Sequence, residues 1–284
     1  MSTIKSLLES AALKLKTISA SPRLDAEILL SHLLQADKVR LIADSNKKIG
    51  ADVERQFTGL LERRINHEPV AYLTGKKEFY GLEFAVNSNV LVPRPETELL
   101  VDIAVKISQN IDSDIKILDL GTGSGCIPVA IANELTKTKK KFSIDAVDVN
   151  KLSLQVAKQN ITKHGYGKTI TLINSDWFQS LPPEKKYNLI VSNPPYIAEN
   201  DKDVSPETKY EPALALYSGS SGLDSIFTLI NDCRSYLEDG GKFVFEIGSG
   251  QAERIKNYVN EIPLVFNIFQ DLAGKDRVVM LSLS

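Results

Sequence analysis

Apolar residues near the start of the chain recur every three or four positions. Ile4, Leu7, Leu8, Ala11 and Leu15 share one helical face, and Ser21-Pro22 supplies an N-cap with proline at the first helical position of a second helix through Ile28, Leu29, Leu33 and Leu34. Val53, Phe57, Leu60, Leu61 and Ile65 mark another helix. No glycine precedes Gly50 and no strand pattern interrupts the segment, so residues 1–70 are predicted to form a small helical bundle. Its surface is expected to carry Arg63, Arg64 and His67 as a solvated helix end. The period then shortens. Between Tyr72 and Val92 the pattern alternates, with Gly75 and Gly81 as breaks, which predicts a β-hairpin linker over 71–92.

From 93 to 284 short apolar runs alternate with helical patterns. Strands are predicted at 115–120, 142–147, 169–173, 187–192, 242–247, 265–269 and 278–283, and helices at 127–135, 151–164, 223–237 and 251–260. Such alternation implies an α/β domain with a mostly parallel sheet covered by helices on both faces. No internal repeat is visible. The basic run of Lys137 and Lys139 to Lys141 falls at a helix end and reads as solvated surface.

At 284 residues, a main domain plus a smaller one is the expectation, and 43% hydrophobic residues are ample for two cores. A formal net charge of -2 argues against general electrostatic capture of nucleic acid. Two cysteines, Cys126 and Cys233, provide neither a disulfide framework nor a zinc set, and no metal site is apparent. No run is long enough to span a membrane, and the N-terminus lacks a secretory h-region, so a cytoplasmic protein is expected.

Two stretches carry the chemistry. The predicted strand 115–120 runs straight into Gly121-Thr122-Gly123-Ser124-Gly125, with a helix immediately after. Strand, glycine loop and helix together form a nucleotide-binding context, because glycines permit positive φ and close backbone approach. The spacing is G-x-G-x-G without a P-loop lysine, which disfavours a pyrophosphate. Asp148 closes the next strand, where an acid commonly grips ribose hydroxyls, while Asp145 is expected to be solvated. Val149 would wall an adenine ring, and Trp177, after the third strand, either packs on that ring or belongs to the core. This combination points to a nucleoside cofactor such as S-adenosylmethionine.

The second stretch is Asn193-Pro194-Pro195-Tyr196, at the end of the fourth strand. Proline fixes φ and drives the preceding residue into extended geometry, so the Asn193 and Pro194 carbonyls are held in set directions. With the Asn193 side-chain oxygen they make a rigid acceptor set for a planar group bearing two N–H donors, and Tyr196 could stack on its face. An amide and an adenine amine both fit, and a plain turn would use the same residues. Arg94, between Pro93 and Pro95, is aimed by a stiffened backbone, while Glu96 and Glu98 suit the positive end of a helix.

Glycine loop, Asp148 and Asn-Pro-Pro-Tyr, in that order, resemble the amino-group methyltransferases that use S-adenosylmethionine. Arg94-Pro95-Glu96-Thr97-Glu98, the loop with Cys126, 210–216, Phe245-Glu246-Ile247-Gly248 and 271–277 closely resemble the HemK/PrmC family of protein-(glutamine-N5) methyltransferases. Pro128 stands where that family would place a small apolar residue, and an early helix position tolerates it. The resemblance implies a Rossmann-like seven-stranded S-adenosylmethionine-dependent methyltransferase domain over 93–284, preceded by the small N-terminal helical bundle and the β-hairpin linker. It implies methyl transfer to the glutamine side-chain nitrogen in the Gly-Gly-Gln loop of peptide chain release factors, leaving S-adenosyl-L-homocysteine, with the helical domain holding the factor. Gly121, Thr122, Gly123, Ser124, Gly125, Asp148, Trp177 and Asn193 would bind the cofactor. Asn193, Pro194, Pro195 and Tyr196 would bind the substrate, and Asn193, Pro194 and Tyr196 would carry catalysis. The expected partners are release factors, with neither a membrane nor a nucleic-acid substrate, and the expected state is a monomer. A DNA adenine-N6 methyltransferase and a non-catalytic adaptor for release factor or ribosome are the alternatives. His32, His67 and His164 lie in helical segments away from the strand ends, and no histidine base is required.

Overall fold

The computed structural model describes residues 2–283, which divide into two compact units. The first consists of 2–76 with 205–210. It contains α1 (Ile4–Leu15), α2 (Pro22–Leu34), α3 (Lys38–Ala43), α4 (Ala51–Ile65) and α5 (Val70–Thr74). Thr3 caps α1 through a reciprocal pair with Ser6, and Asp37 caps α3 by accepting from the Arg40 N–H. The predicted face of α1 enters the core with Leu29 and Phe57, which like Ile4, Leu8 and Leu15 are almost fully buried; in α2, however, Leu30 joins the core and Ile28 is exposed, because the helix turns its 26, 29, 30 face inward. Two short helices are additional to the pattern. In α5 the helix covers Tyr72 and stops at Gly75, whose φ of 72° provides a left-handed cap, so the hairpin begins later than predicted.

Arg64 corrects the expectation of a solvated helix end. It is buried, its Nε donates to Asp25 at 2.8 Å, and its Nη2 pairs with Glu207 at 2.7 Å. Its neighbour Arg63 is exposed and makes a two-pronged pair with Glu68. Arg64 lies on the same helical face as Phe57 and Leu61, and its charge can be buried there because carboxylates from other segments meet it, which the local sequence does not register. His67 follows α4 in a turn with φ of 68°, not in the helix itself. Arg64→Ala is expected to cost about 3 to 5 kcal/mol of unfolding free energy, because Asp25 would stay buried without its cation. A denaturant titration checks it.

The second unit begins at Lys77, within the hairpin of β1 (Lys76–Phe79) and β2 (Leu82–Ala85) turned at Tyr80-Gly81. It continues through α6 (Glu98–Gln109), β3 (Ile115–Leu120), α7 (Cys126–Thr136), β4 (Phe142–Asp148), α8 (Lys151–Lys163), β5 (Ile170–Asn174) and β6 (Tyr187–Ser192). After these come α9 (Asp224–Cys233), β7 (Leu237–Glu246), α10 (Ala252–Val259), β8 (Leu264–Gln270) and β9 (Asp276–Leu283). The sheet has seven strands in the order β5-β4-β3-β6-β7-β9-β8, with β9 antiparallel to both neighbours and the remaining pairs parallel. Each face buries its own apolar cluster, as a sheet covered on both sides requires. The expected seven-stranded α/β architecture is therefore present.

Three expectations need correction. The helix predicted over 223–237 is α-helical over Asp224–Cys233 and tightens into a 3-10 turn over Arg234–Tyr236. The strand predicted from 242 begins at Leu237, because residues 238–241, including Gly240-Gly241, form a bulge between the Leu237–Tyr187 and Lys242–Leu189 pairs. Asp145 is buried within β4 rather than solvated, accepting from the Tyr187 hydroxyl at 2.7 Å and pairing with Lys185. Among the described residues, no helix is long and apolar enough to cross a membrane.

Candidate active site

Strand order places the two chemical stretches side by side. β3 lies between β4 and β6, so the glycine loop after β3 sits between Asp148, at the end of β4, and Asn193, just beyond β6. Ligands of parallel sheets bind at this carboxyl edge, and a cavity of about 260 Å³ opens here. Gly121, Thr122, Gly123, Ser124, Asp148 and Trp177 line it, as do Asn193 and Pro195. Gly125, Pro194 and Tyr196 are not among its lining residues.

Gly121, Gly123 and Gly125 have φ of 76°, 54° and 77°, values that a side chain would oppose. Gly125 also packs tightly: an added Cβ would lie 3.3 Å from Ala157 in α8. Asp148 fastens the loop. Its Oδ2 accepts from the Gly123 N–H at 2.9 Å and its Oδ1 from the Asn150 N–H at 2.8 Å, while burial raises its pKa above the ordinary value. Trp177 has a φ of 47°, a left-handed conformation costly for a bulky residue, held where its ring lies beside Gly121. Val149, half exposed, lines the same cavity.

Asp119 lies in the predicted strand 115–120 and carries no sequence signal of its own. It is fully buried at the end of β3; neither of its oxygens makes a well-formed hydrogen bond with the described residues, and the same holds for Thr122 Oγ1 and Ser124 Oγ. Burial pushes its carboxyl up to about 7, with the nearby Thr122 hydroxyl pulling it back and the charge of Asp148 adding to the rise. A cluster of unpartnered polar atoms at the loop, two of them on cavity-lining residues, suits a ligand with polar and cationic groups. Since the folded pKa lies above the unfolded value of 3.8, the folded protein holds this proton longer, and the resulting stabilisation is lost as pH rises through 7. The ligand-free protein is thus expected to lose about 2 to 3 kcal/mol between pH 5 and pH 8 from this group alone. In Asp119→Asn that part of the slope disappears, which unfolding titrations at the two pH values measure.

Around Asn193 the bonds run in one direction. Asn193 Nδ2 donates to Thr97 Oγ1 at 3.1 Å, the Thr97 hydroxyl donates to Glu246 Oε2 at 2.6 Å, and the Tyr196 hydroxyl donates to Glu246 Oε1 at 3.0 Å. Asn193 Oδ1 and the backbone carbonyls of Asn193 and Pro194 accept nothing from the described residues. Burial raises the pKa of Glu246, against the pull of the Thr97 and Tyr196 hydroxyls and of Arg277. Burial and the Glu246 carboxylate together hold the Tyr196 phenol well above its ordinary value, which removes it as a base. Cys126 is pushed by burial up to about 12 and stays a thiol at neutral pH. Arg94 Nη2 pairs with Glu211 Oε2 at 2.5 Å, and Glu211 Oε1 accepts from the Val92 N–H, so Arg94 fixes the segment that leads to the cavity-lining Pro212 and Leu214. Thr97, Glu246 and Glu211 were within recognised motifs, but nothing local in the sequence assigns their bonds.

Family models for the PrmC N-terminal domain and the methyltransferase small domain match residues 6–75 and 96–209. A release factor glutamine methyltransferase of Coxiella burnetii is 38% identical over 281 residues, covering 99% of each chain. One from Rhodopirellula baltica is 39% identical, covering 93% of this chain and 90% of its own. A bifunctional methyltransferase of Rickettsia typhi is 38% identical over 99% of this chain, which spans only 57% of that longer relative. Among solved structures, the ribosomal protein L11 methylase of Lactobacillus delbrueckii (18% identity, 70% of this chain and 84% of that one, TM-score 0.50) shares the fold. So does the T. thermophilus 16S rRNA N2 G1207 methyltransferase in complex with AdoMet and guanosine (15% identity, 74% and 50%, TM-score 0.52).

Proposed function

Because the chain belongs to the family of release factor glutamine methyltransferases, we propose that it methylates the side-chain amide nitrogen of the glutamine in the Gly-Gly-Gln motif of peptide chain release factors. The observation that carries this reading is the acceptor at the cavity: Asn193 lines it with its amide nitrogen tied to Thr97, leaving Oδ1 and its own carbonyl free, the carbonyl beside Gly121. S-adenosylmethionine bound there supplies a methyl group on an electron-poor sulfur and leaves as S-adenosyl-L-homocysteine. Gly121, Thr122, Gly123, Ser124 and Asp148 would hold it, with Gly125 supporting the loop and Trp177 and Val149 offering apolar surface to its base.

An amide nitrogen is a weak nucleophile because its lone pair is delocalised into the carbonyl. Rate must come mainly from holding it in line at about 3 Å from the methyl carbon. Asn193 Oδ1 and the Pro194 carbonyl accept one N–H each, which fixes the nitrogen and draws electron density towards it as positive charge develops; the N–C bond forms as the methyl carbon parts from sulfur, and one of the two amide protons then leaves to solvent. Pro195 and Tyr196 frame the group, and Tyr196 acts through its bond to Glu246 rather than as a base. The helical unit takes part in holding the factor; Leu13, Val39 and Ile42 stand exposed on it.

The test is incubation of the protein and methyl-labelled S-adenosylmethionine with release factor or with duplex DNA in separate reactions. Label in the release factor alone is expected. Label in DNA alone would select the adenine-N6 reaction, and label in neither would favour an adaptor.

A further inference from the structure

The amide of Asn193 has two faces of almost equal size and opposite polarity, so its contacts must decide which one meets the substrate. Thr97 lines the cavity but is 2% exposed, at the end of the short turn Pro95–Thr97. Its hydroxyl has a single proton, and that proton goes to Glu246 Oε2 at 2.6 Å. Glu246 closes β7, is 1% exposed, and has its other oxygen occupied by the Tyr196 hydroxyl. Both Glu246 oxygens are thus acceptors, one for each hydroxyl. Thr97 must therefore donate to Glu246, which leaves its lone pairs to accept from Asn193 Nδ2 at 3.1 Å. The polarity of Glu246 is thus passed through one hydroxyl to the Asn193 side chain, and Oδ1 is the atom left for a ligand.

We propose that Thr97 and Glu246 are positioning residues that lock Asn193 with its oxygen towards the acceptor group, and so make the site select a carboxamide over the isosteric carboxylate. This rests on glutamine being the acceptor. A carboxamide offers two N–H donors to Oδ1 and the Pro194 carbonyl, whereas a carboxylate offers only lone pairs and meets these oxygens with repulsion. An Asn193 free to rotate would present Nδ2 part of the time, weakening the first interaction and relieving the second.

The test compares wild type, Thr97→Val, Thr97→Ser and Glu246→Gln on release factor, with release factor carrying Gly-Gly-Glu as a competitive inhibitor. Thr97→Val keeps the shape but removes both bonds. It is expected to lower kcat by roughly 10- to 100-fold and to narrow the ratio of glutamine-form to glutamate-form affinity about tenfold, with cofactor affinity within about twofold of wild type. Thr97→Ser restores the ratio because it keeps the hydroxyl. Glu246→Gln, which places a donor where only acceptors stood, narrows the ratio in the same direction and carries the test if Thr97→Val does not fold. An unchanged ratio in both variants, or a serine variant no better than valine, would overturn the proposal while leaving wild-type turnover intact. Absence of wild-type turnover on the glutamine form would instead defeat the functional reading beneath it.

Discussion

Asn193→Ala is expected to reduce turnover on the release-factor glutamine about 10³-fold while leaving the cofactor dissociation constant within about threefold of wild type. The asymmetry follows from where the side chain is tied. Asn193 is anchored through Thr97 to Glu246, whereas the glycine loop is fastened to Asp148 on the opposite side of β3. Truncation removes one of the two acceptors that hold the substrate nitrogen. It leaves the bond between Asp148 and Gly123 in place. Steady-state kinetics alongside calorimetric titration of S-adenosylhomocysteine separates the two effects; near-native kcat in the alanine variant would remove Asn193 from the mechanism.

Asp148→Ala is expected to act in the opposite sense, weakening cofactor binding by about 10²- to 10³-fold. Two losses combine. The carboxylate is the group proposed to meet the ribose hydroxyls, and it also holds the Gly123 and Asn150 N–H groups at 2.9 and 2.8 Å. Without it the loop loses the bond that fixes its central glycine, in a segment whose positive φ values already require support. Asp148→Asn retains an acceptor and is expected to fall between the two, about tenfold weaker than wild type. Titration of the two variants with S-adenosylhomocysteine checks the order, and wild-type affinity in Asp148→Ala would take the acid out of the site.

Much of this organisation was legible in the chain itself. Gly121 to Gly125 and Asn193 to Tyr196 are short, and their backbone demands are local, so their positions at strand ends could be read directly. The parallel order that brings them together follows from alternation of strand and helix. What escaped was non-local. Thr97 and Glu246 are 149 positions apart and joined by a single hydroxyl. Asp119 counted as one polar residue in an apolar strand, and its lack of partners depends on what surrounds it in three dimensions. Arg64 shares the buried helical face of Phe57 and Leu61, but its charge reads as surface, and the carboxylates that satisfy it, Asp25 and Glu207, lie 39 and 143 positions away. The bulge at Gly240-Gly241 imitated a strand boundary because the same glycines serve both.

The central claim is that Asn193 presents its acceptors to a glutamine amide. Fragmentation mass spectrometry of release factor after incubation with the protein and S-adenosylmethionine tests this most directly. A single added methyl, localised to the side-chain nitrogen of the Gly-Gly-Gln glutamine and absent with Asn193→Ala, is the predicted result. An unmodified glutamine, or a methyl on another residue, would contradict the account.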